Sequence, residues 1–375
     1  MHIIAFSEIK WSYLTTRKQQ LLRRFPADWK ILFLEPYKAG LENHFRPWRA
    51  MPNITVVTMP FLKNLSPGSL QRLISYSVVR DVYYWLTAAW VRMAIAITGF
   101  SRAEVSFVSN LYAVPYLSTG KKIVYDMNDH HLAFENTPVW LAENLSKLCV
   151  LADRVVVSCR VLSEVCPADH AKIRYIGNGV DTVLFDIGDE IPESRPPETT
   201  KEILYVGAIS EIVDFGLLKI LLSRMSEGHR LKMVGPIFPS VAHKMKEILE
   251  NNPHVASWIP AQPQRELGGF IRRSSVCLIP FLKTDLTRYA NPNKAYEYLS
   301  LGKTVVATNA SAALDEMREY IHVADNPEEF ISLALADYSD ERAEVRKMRC
   351  DFARKNDWML KAREYTELLR ELCNE

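Results

Sequence analysis

The chain has 375 residues, which at about 150 residues per domain suggests two domains or slightly more. Its 48% hydrophobic and 24% charged residues, with only 14 Gly and 20 Pro, exclude a disordered or collagen-like protein. Six cysteines without a CxxC pair or a paired histidine spacing argue against a zinc site and a secreted disulfide framework, so reduced thiols and a cytoplasmic location are expected.

The net charge of +2 conceals two halves of opposite sign. Residues 1–180 carry a balance of +8, and residues 181–375 carry −6. A basic half suits nucleic acid, anionic lipid or a phosphorylated ligand, but the sequence has no sustained basic run and no RNA-binding signature. A nucleic-acid partner is therefore not expected.

The first predicted element is a strand, and it lacks the basic segment and long apolar run of a signal peptide. Short apolar or β-branched runs then recur between helical segments. These predicted strands cover residues 2–6, 30–36, 53–59, 105–110, 121–129, 154–159 and 172–179. Such alternation is typical of a parallel, doubly wound sheet.

The longest apolar stretch, residues 82–99, is only about as long as the shortest bilayer-spanning helix and has Arg92 near its middle. Residues 1–102 carry a balance of +9, and aromatic residues crowd this stretch, namely Tyr83, Tyr84, Trp85 and Trp90. We expect the first domain to bind an anionic membrane surface peripherally. The alternative is an ordinary core helix, in which Arg92 would need a partner.

Residues 186–201 combine Pro, acidic and hydroxyl residues without apolar periodicity, and predict a linker between domains at 1–185 and 202–340. The second half repeats the strand pattern at residues 202–209, 230–236, 254–260, 275–281, 303–309 and 321–325. Residues 341–375 predict one or two amphipathic helices that can pack on either domain, including back on the first. Two Rossmann-like domains with a ligand cleft between them are expected.

The densest strand-to-helix junction spans residues 280–308, where Pro292 begins a helix that Gly302 ends. No junction carries GxGxxG, which disfavours a nicotinamide or flavin enzyme. The free N–H groups of this helix suit an anionic diphosphate, and Glu297 suits a ribose diol. A surface salt bridge with Lys294 explains Glu297 equally well. Three basic side chains add positive charge nearby: Lys283, Arg288 and Lys294.

The helix at this junction resembles a known signature. Asn291-Pro-x-Lys294-x-x-Glu297-Tyr298-Leu-x-x-Gly302-Lys303-x-Val305-Val306 is similar to the donor site of GT-B glycosyltransferases of the family-4, or group 1, type, as in bacterial polysaccharide biosynthesis. Weaker matches lie at residues 205–209 with 214–215, at residues 176–181 and at residues 11–20. The resemblance implies an α/β GT-B fold of two doubly wound parallel-sheet domains.

The same resemblance implies a nucleotide-sugar donor on the second domain and an acceptor on the first. Glu297 would hold the donor ribose, Asn291 to Lys294 would hold the diphosphate, and Gly207 would leave room for the phosphates. The resemblance also implies no bound metal and no other cofactor, because helix N-termini and basic side chains offset the charge of the leaving diphosphate.

Two departures from the family pattern leave the stereochemical outcome, retaining or inverting, open. Tyr289 stands eight positions before Glu297, where retaining members often carry a second Glu. Residues 210–214 supply acids where an Arg and a Lys are usual. Lys283 and Arg288 could replace that charge.

Candidate catalytic residues lie at and just after the end of the predicted strand at 121–129, at the edge where a base for an acceptor hydroxyl would lie: Asp126, Asp129 and His130. Asp129 is the favoured base. The alternative is that an aspartate caps the next helix and the histidine is solvated.

Candidate acceptor-binding residues lie near the start of the chain: Trp11, Arg17 and Gln20. A core position for Trp11 and a solvated helix face for Arg17 explain the same residues equally well.

We therefore expect a glycosyltransferase that moves a sugar from a nucleotide diphosphate to a glycan or lipid-linked acceptor, at the cytoplasmic face of a membrane. Three alternatives stay open: a non-hydrolysing nucleotide-sugar epimerase, a catalytically silent sugar-nucleotide-binding protein, and a peripheral membrane scaffold. The sequence does not indicate the base or sugar of the donor, the linkage or the oligomeric state.

Overall fold

The structure, a computed structural model, describes residues 1–13, 15–60, 76–118, 120–134, 137–186 and 200–375. These residues form two compact units. Unit 1 comprises Met1–Ile176 and Lys361–Glu375, and unit 2 comprises Gly177–Leu360. The chain thus enters unit 2 at Gly177, ahead of the linker predicted at residues 186–201, most of which lies outside the described residues.

Unit 1 is built on an eight-stranded sheet whose strands are, in chain order, β1 (His2–Phe6), β2 (Lys30–Pro36), β3 (Trp48–Met51), β4 (Ile54–Met59), β5 (Val105–Val108), β6 (Lys122–Met127), β7 (Arg154–Val157) and β8 (Ile173–Tyr175). Their spatial order is β3-β4-β2-β1-β5-β6-β7-β8. Every pairing is parallel except β3 with β4. The central strands are apolar runs buried on both faces, as parallel sheets require.

Among the described residues before 176, three α-helices accompany this sheet: α1 (Arg17–Leu22), α2 (Ser77–Ile97) and α3 (Leu141–Leu151). Short 3₁₀ turns lie at Leu111–Tyr116, His131–Ala133, Arg160–Val165 and His170–Lys172. All six residues of α1 are buried although four of them are polar. Burial of so polar a helix requires hydrogen-bonded or charged partners for its side chains.

Unit 2 is built on a six-stranded parallel sheet: β9 (Lys201–Val206), β10 (His229–Val234), β11 (Ala256–Ile259), β12 (Val276–Ile279), β13 (Thr304–Thr308) and β14 (His322–Ala324). The spatial order is β11-β10-β9-β12-β13-β14. The order reverses beside β9, so the carboxyl ends of β9 and its neighbours lie at a topological switch point, where ligands bind in sheets of this kind.

The helices of unit 2 are α4 (Phe215–Arg224), α5 (Ala242–Asn251), α6 (Gln264–Arg273), α7 (Asp285–Arg288), α8 (Asn293–Ser300), α9 (Ala312–Asp315), α10 (Pro327–Leu335) and α11 (Ala343–Lys355). A 3₁₀ turn precedes α5 at Pro239–Val241. The last helix, α12 (Trp358–Asn374), begins in unit 2 and belongs to unit 1 from Lys361 onward.

Each predicted strand has a counterpart in the structure, with ends that differ by a few residues. Strand β3 was not predicted. Its sequence, WRAM, has no β-branched residue, and it lies at the edge of the sheet with Trp48 and Arg49 exposed. An exposed edge strand buries no apolar run, so the sequence carries no signal for it.

The predicted apolar segment at 82–99 forms the greater part of α2. The core-helix interpretation does not describe it, because only four of its 21 residues are buried: Thr87, Val91, Ala94 and Ile95. Arg92 is exposed and needs no buried partner. No helix of the described part of the chain combines the length and the apolarity needed to cross a membrane.

Candidate functional site

The carboxyl edge of the unit 2 sheet is shaped by two glycines that follow neighbouring strands. Gly235, after β10, has a φ of +148°, and a Cβ there would lie 2.1 Å from the carbonyl oxygen of Gly207. Gly207, after β9, has a φ of +133°. Side chains larger than hydrogen are excluded at both positions by the positive φ, and at Gly235 also by rigid backbone. The backbones of the two strand ends therefore lie close together at this edge, and no side chain of either glycine covers them.

Lys294 reaches over this glycine backbone from the first turn of α8. A Cβ on Gly207 would lie 2.8 Å from Lys294 Nζ, so the ammonium rests directly against the Gly207 backbone. The same Nζ lies 3.7 Å from the ring centre of Tyr205 and 5.1 Å from that of Phe281. Aromatic faces attract a cation but do not neutralise it.

Among the residues that the structure describes, no carboxylate lies within 4.0 Å of Lys294 Nζ. Burial lowers the pKa of Lys294 to about 7, and the charge of Glu297 offsets this only in part. A lysine whose charged form is disfavoured by burial, beside backbone that no side chain covers, is suited to bind an anion, which would stabilise the charged form.

Glu297 lies one turn after Lys294, on the same face of α8. Its carboxylate accepts a hydrogen bond from Gln264 Nε2 at 3.3 Å. Burial raises the pKa of Glu297 to about 7, against the smaller opposing effects of Gln264 and Lys294. Hydroxyl donors from a ligand would stabilise the ionised carboxylate at this position.

Helix α8 is anchored so that these two side chains are held in place. Tyr298 is fully buried, and its hydroxyl accepts a hydrogen bond from the backbone N–H of Val206 at 2.8 Å. Ser300 Oγ donates to the carbonyl of Phe185 at 2.7 Å. Pro292 precedes the helix at its N-cap, and Gly302 follows it with a φ of +66°. The predicted start and end of this helix are thus observed.

The other predicted donor residues lie around this centre. The carbonyl of Asn291 accepts a hydrogen bond from Asn178 Nδ2 at 2.7 Å, which joins the start of unit 2 to the loop before α8. Lys283 is exposed. Arg288 is also exposed, with its guanidinium 5.5 Å from the Tyr289 ring centre. The structure therefore brings Gly207, Lys294 and Glu297 together and places Lys283 and Arg288 on exposed surface.

Three residues of this site were not anticipated: Tyr205, Gly235 and Gln264. Gly235 lies near the end of the strand predicted at residues 230–236, and a glycine at that place could have been recognised as a site residue. Tyr205 lies within the strand run and carries no sign of its contact with a lysine. Gln264 is distant in sequence from Glu297, and only the folded sheet brings them together.

In unit 1, Asp126 lies in the protein interior. It is fully buried, and its two carboxylate oxygens accept hydrogen bonds from Arg17 Nε at 3.0 and 3.1 Å. Tyr365 of α12 donates a further hydrogen bond at 3.1 Å. This geometry places Asp126 and Arg17 in the interior of the unit as an ion pair, and their catalytic and acceptor-binding roles stay predictions.

Two more buried ion pairs flank α1. Lys10 Nζ donates to Glu35 at 2.8 Å, and Lys18 pairs with Glu8. Gln20 is also buried and accepts a hydrogen bond from Arg24. Gln20 is thus placed in the interior of the unit, and its acceptor role stays a prediction.

Trp11 is only partly buried. Its backbone N–H donates to Glu35 at 2.8 Å, and its ring contacts Phe33 edge to face at 5.1 Å between ring centres. The indole keeps some exposed surface, so its acceptor role stays a prediction.

Asp129 and His130 lie beyond the end of β6, and both are partly exposed. Asp129 Oδ2 accepts a hydrogen bond from Asn128 Nδ2 at 2.6 Å. His130 leads into the 3₁₀ turn at His131–Ala133. Of the predicted catalytic carboxylates, Asp129 is the one with access to solvent, and its role stays a prediction. Within the described residues no group of three or more His, Cys, Asp or Glu side chains is arranged to hold a metal ion.

Comparison with curated proteins finds a similar sequence over half of the chain. The chain is 26% identical to the "Putative teichuronic acid biosynthesis glycosyltransferase TuaH" of Bacillus subtilis (strain 168). The match covers 199 residues, which are 51% of this chain and 49% of that relative. The chain thus matches about half the length of this relative. No model of a known protein family matches the chain.

Solved structures share the whole fold at low sequence identity. A sucrose-phosphate synthase from Thermosynechococcus elongatus has a TM-score of 0.72 at 12% identity, over 99% of this chain and 98% of its own. A structure titled "Trehalose-6-phosphate from E. coli bound with UDP-2-fluoro glucose" has a TM-score of 0.73 at 12% identity, over 100% and 99%. HepE of Anabaena in complex with UDP has a TM-score of 0.69 at 11% identity, over 99% of both chains.

These likenesses extend over both units and confirm the fold expected from the signature around Glu297. The relative of known name is itself described as a glycosyltransferase, as the resemblance implied. The chain has the GT-B fold, with two Rossmann-like parallel-sheet units, and resembles GT-B glycosyltransferases in sequence and structure.

Proposed function

We propose that this protein is a glycosyltransferase that moves a sugar from a nucleotide diphosphate to a glycan or lipid-linked acceptor in cell-surface polysaccharide or glycoconjugate synthesis. The observation that carries the proposal is the placement of Lys294 against the Gly207 backbone with Glu297 one turn away. The UDP in the HepE structure and the teichuronic acid pathway named for TuaH support the donor and the acceptor class.

In the proposed donor site the diphosphate lies beside Lys294 and the first N–H groups of α8. When the bond from the sugar to the diphosphate breaks, negative charge develops on the leaving oxygen. The ammonium and the positive end of the helix dipole stabilise that charge. This arrangement supports transfer without a bound metal or other cofactor, because the protein itself supplies the positive charge.

Glu297 is proposed to accept hydrogen bonds from the ribose hydroxyls of the donor. Its carboxylate is partly buried and accepts one hydrogen bond, from Gln264, which leaves acceptor capacity for a diol. Asn291 completes the loop in front of the diphosphate. Lys283 and Arg288 remain proposed contacts for the outer part of the donor.

On the acceptor side, unit 1 is proposed to present the hydroxyl that attacks the sugar. Asp129 is the proposed general base, with His130 beside it, and Trp11 offers a partly exposed ring for an apolar or sugar face. Lipid-linked acceptors lie in a bilayer, so this unit would have to reach a membrane surface.

The test is calorimetric titration of UDP into the protein in buffer that contains EDTA. Wild type should bind, and Glu297→Ala should weaken binding by about 1.5 to 3 kcal/mol, the range for hydrogen bonds to a charged group. Glu266→Ala, which removes an exposed carboxylate from α6, is the matched control and should bind like wild type. Equal affinity of wild type and Glu297→Ala for UDP and for other nucleoside diphosphates would contradict the donor site. Binding that EDTA abolishes would contradict the metal-free mechanism.

A further inference from the structure

Helix α2 of unit 1 exposes a continuous apolar face. Six large apolar side chains on it are between 53% and 73% exposed: Val78, Val82, Trp85, Leu86, Met93 and Ile97. Their spacing of three and four residues places them on one side of the helix, here called the α2 stripe. From Val78 to Ile97 the stripe is about 28 Å long at 1.5 Å per residue.

The opposite side of α2 accounts for its attachment to unit 1. Thr87, Val91 and Ala94 are buried there, and Ile95 lies beside them. This buried face is narrow, so the helix is fixed to the unit while most of its apolar surface faces outward. An exposed apolar patch of this length on a protein usually marks a binding surface.

The apolar surface continues beyond α2. Phe45 is 46% exposed, and its ring centre lies 5.9 Å from that of Trp90. Trp48 is exposed in the neighbouring strand β3. On the other side of α2, a cleft lined by Tyr84 leads to α3, where Val150 is 75% exposed.

Arginines surround this apolar surface. Three of them are exposed at or near its edges, Arg46, Arg49 and Arg92, and the cleft beside Tyr84 adds Arg80 and Lys147. The exposed acidic residues on the same segments are Glu42, Asp81 and Glu143. The surface therefore carries a positive balance, and the long arginine side chains can extend their charges from an apolar layer toward headgroups.

We propose that the α2 stripe is a membrane-docking surface, and that α2 lies parallel to an anionic bilayer with the stripe at the level of the headgroups. Aromatic residues such as Trp85 and Phe45 favour that level, and exposed arginines attract anionic lipid. The arginines favour a lipid surface over a second copy of this chain, because two such surfaces would repel each other. The proposal rests on unit 1 residues alone, so it can stand or fall separately from the donor site.

The experiment is co-sedimentation of the full chain with vesicles of phosphatidylglycerol and phosphatidylcholine, and with phosphatidylcholine alone. Wild type should pellet with the anionic vesicles, and the bound fraction should fall as salt is raised. The double variant Trp85→Glu with Met93→Glu should lose at least about tenfold in vesicle affinity, since both changes place charge in the apolar layer. Arg92→Gln should lose about fivefold, as expected for one basic residue at an anionic surface.

Val183→Glu is the matched control, because Val183 is 90% exposed in unit 2 and the same kind of change is made away from the stripe. It should pellet like wild type. Circular dichroism, thermal melting and UDP titration of each variant show whether both units are intact. Wild type that does not pellet with anionic vesicles, or a double variant that pellets like wild type, overturns the proposal. A wild-type dimer that the double variant converts to monomer, without vesicle binding, overturns it in favour of self-association.

Discussion

Charged side chains lie near the carboxyl ends of strands in both units, but their pairing there differs. In unit 1 three buried cations have a carboxylate within hydrogen-bonding distance: Lys10 with Glu35, Arg17 with Asp126 and Lys18 with Glu8. In unit 2, Lys294 lies over aromatic rings, and Glu297 accepts its hydrogen bond from the neutral amide of Gln264. Elsewhere in unit 2, the buried Arg349 is paired with Glu341 at 2.7 Å, in the same way as the cations of unit 1. The same kinds of residue therefore serve different purposes at equivalent edges of two related sheets.

This difference distinguishes charges that stabilise the fold from charges that are available to a ligand. A paired charge is neutralised inside the protein, and its loss exposes the partner to an apolar interior. A charge held without an oppositely charged contact is costly for folding, but a ligand can supply what is missing. We therefore expect substitutions in unit 1 to affect mainly stability, and substitutions of Lys294 and Glu297 to affect mainly ligand binding.

The largest expected effect comes from breaking a unit 1 pair. Asp126→Ala should lower the free energy of unfolding by about 3 to 5 kcal/mol, because Arg17 would keep a buried charge without its carboxylate. Denaturant unfolding followed by circular dichroism measures this loss. Asp129→Ala, at a partly exposed carboxylate on the same edge, is the control and should change stability by less than about 0.5 kcal/mol. A stable Asp126→Ala protein with low turnover would instead return Asp126 to the catalytic role expected from the sequence.

The second expected effect concerns Lys294. Lys294→Met should weaken UDP binding by about 1.5 to 3 kcal/mol, because the diphosphate loses a charged donor. The free energy of unfolding should stay the same or increase, since burial already lowers the pKa of this lysine to about 7 in the folded state. Lys246→Met, at an exposed lysine of α5, is the control for both measurements. A clear loss of stability in Lys294→Met would show that Lys294 is a structural residue like Arg17.

Much of the donor side could be predicted from the sequence because its signals are local. Pro292 marks the start of the helix of residues 293–300, and Gly302 marks its end. The three-residue spacing of Lys294 and Glu297 places both side chains on one face of that helix. Gly207 lies in the apolar run at residues 202–209, for which only a strand is predicted. What the sequence does not contain is the contact of Glu297 with Gln264, which depends on the order of strands in the folded sheet.

Unit 1 was harder to predict because its charged residues have partners far away in the chain. Arg17 and Asp126 are 109 positions apart, and Tyr365 comes from the last helix. Taken alone, each of these residues suits an active site as well as an interior. Helix α2 presents the opposite difficulty, because its apolar run predicts burial, whereas most of its side chains are exposed in the structure.

If Lys294 and Glu297 together form the nucleotide site, the affinity of the protein for UDP depends on pH through both side chains. Bound diphosphate raises the pKa of Lys294 from about 7, so the contribution of this lysine is full below that pH and is lost as pH rises above it. Ribose hydroxyls lower the pKa of Glu297 from about 7, so its contribution is full above that pH and is lost as pH falls below it.

Calorimetric titration of UDP across this pH range should therefore show greatest affinity near pH 7, with limbs that approach about tenfold per pH unit. Lys294→Met should remove the alkaline limb, and Glu297→Gln should remove the acidic limb. Titration of the terminal phosphate of UDP is common to the three proteins, so the comparison between them isolates the two side chains. Identical pH profiles in wild type and both variants would contradict the account.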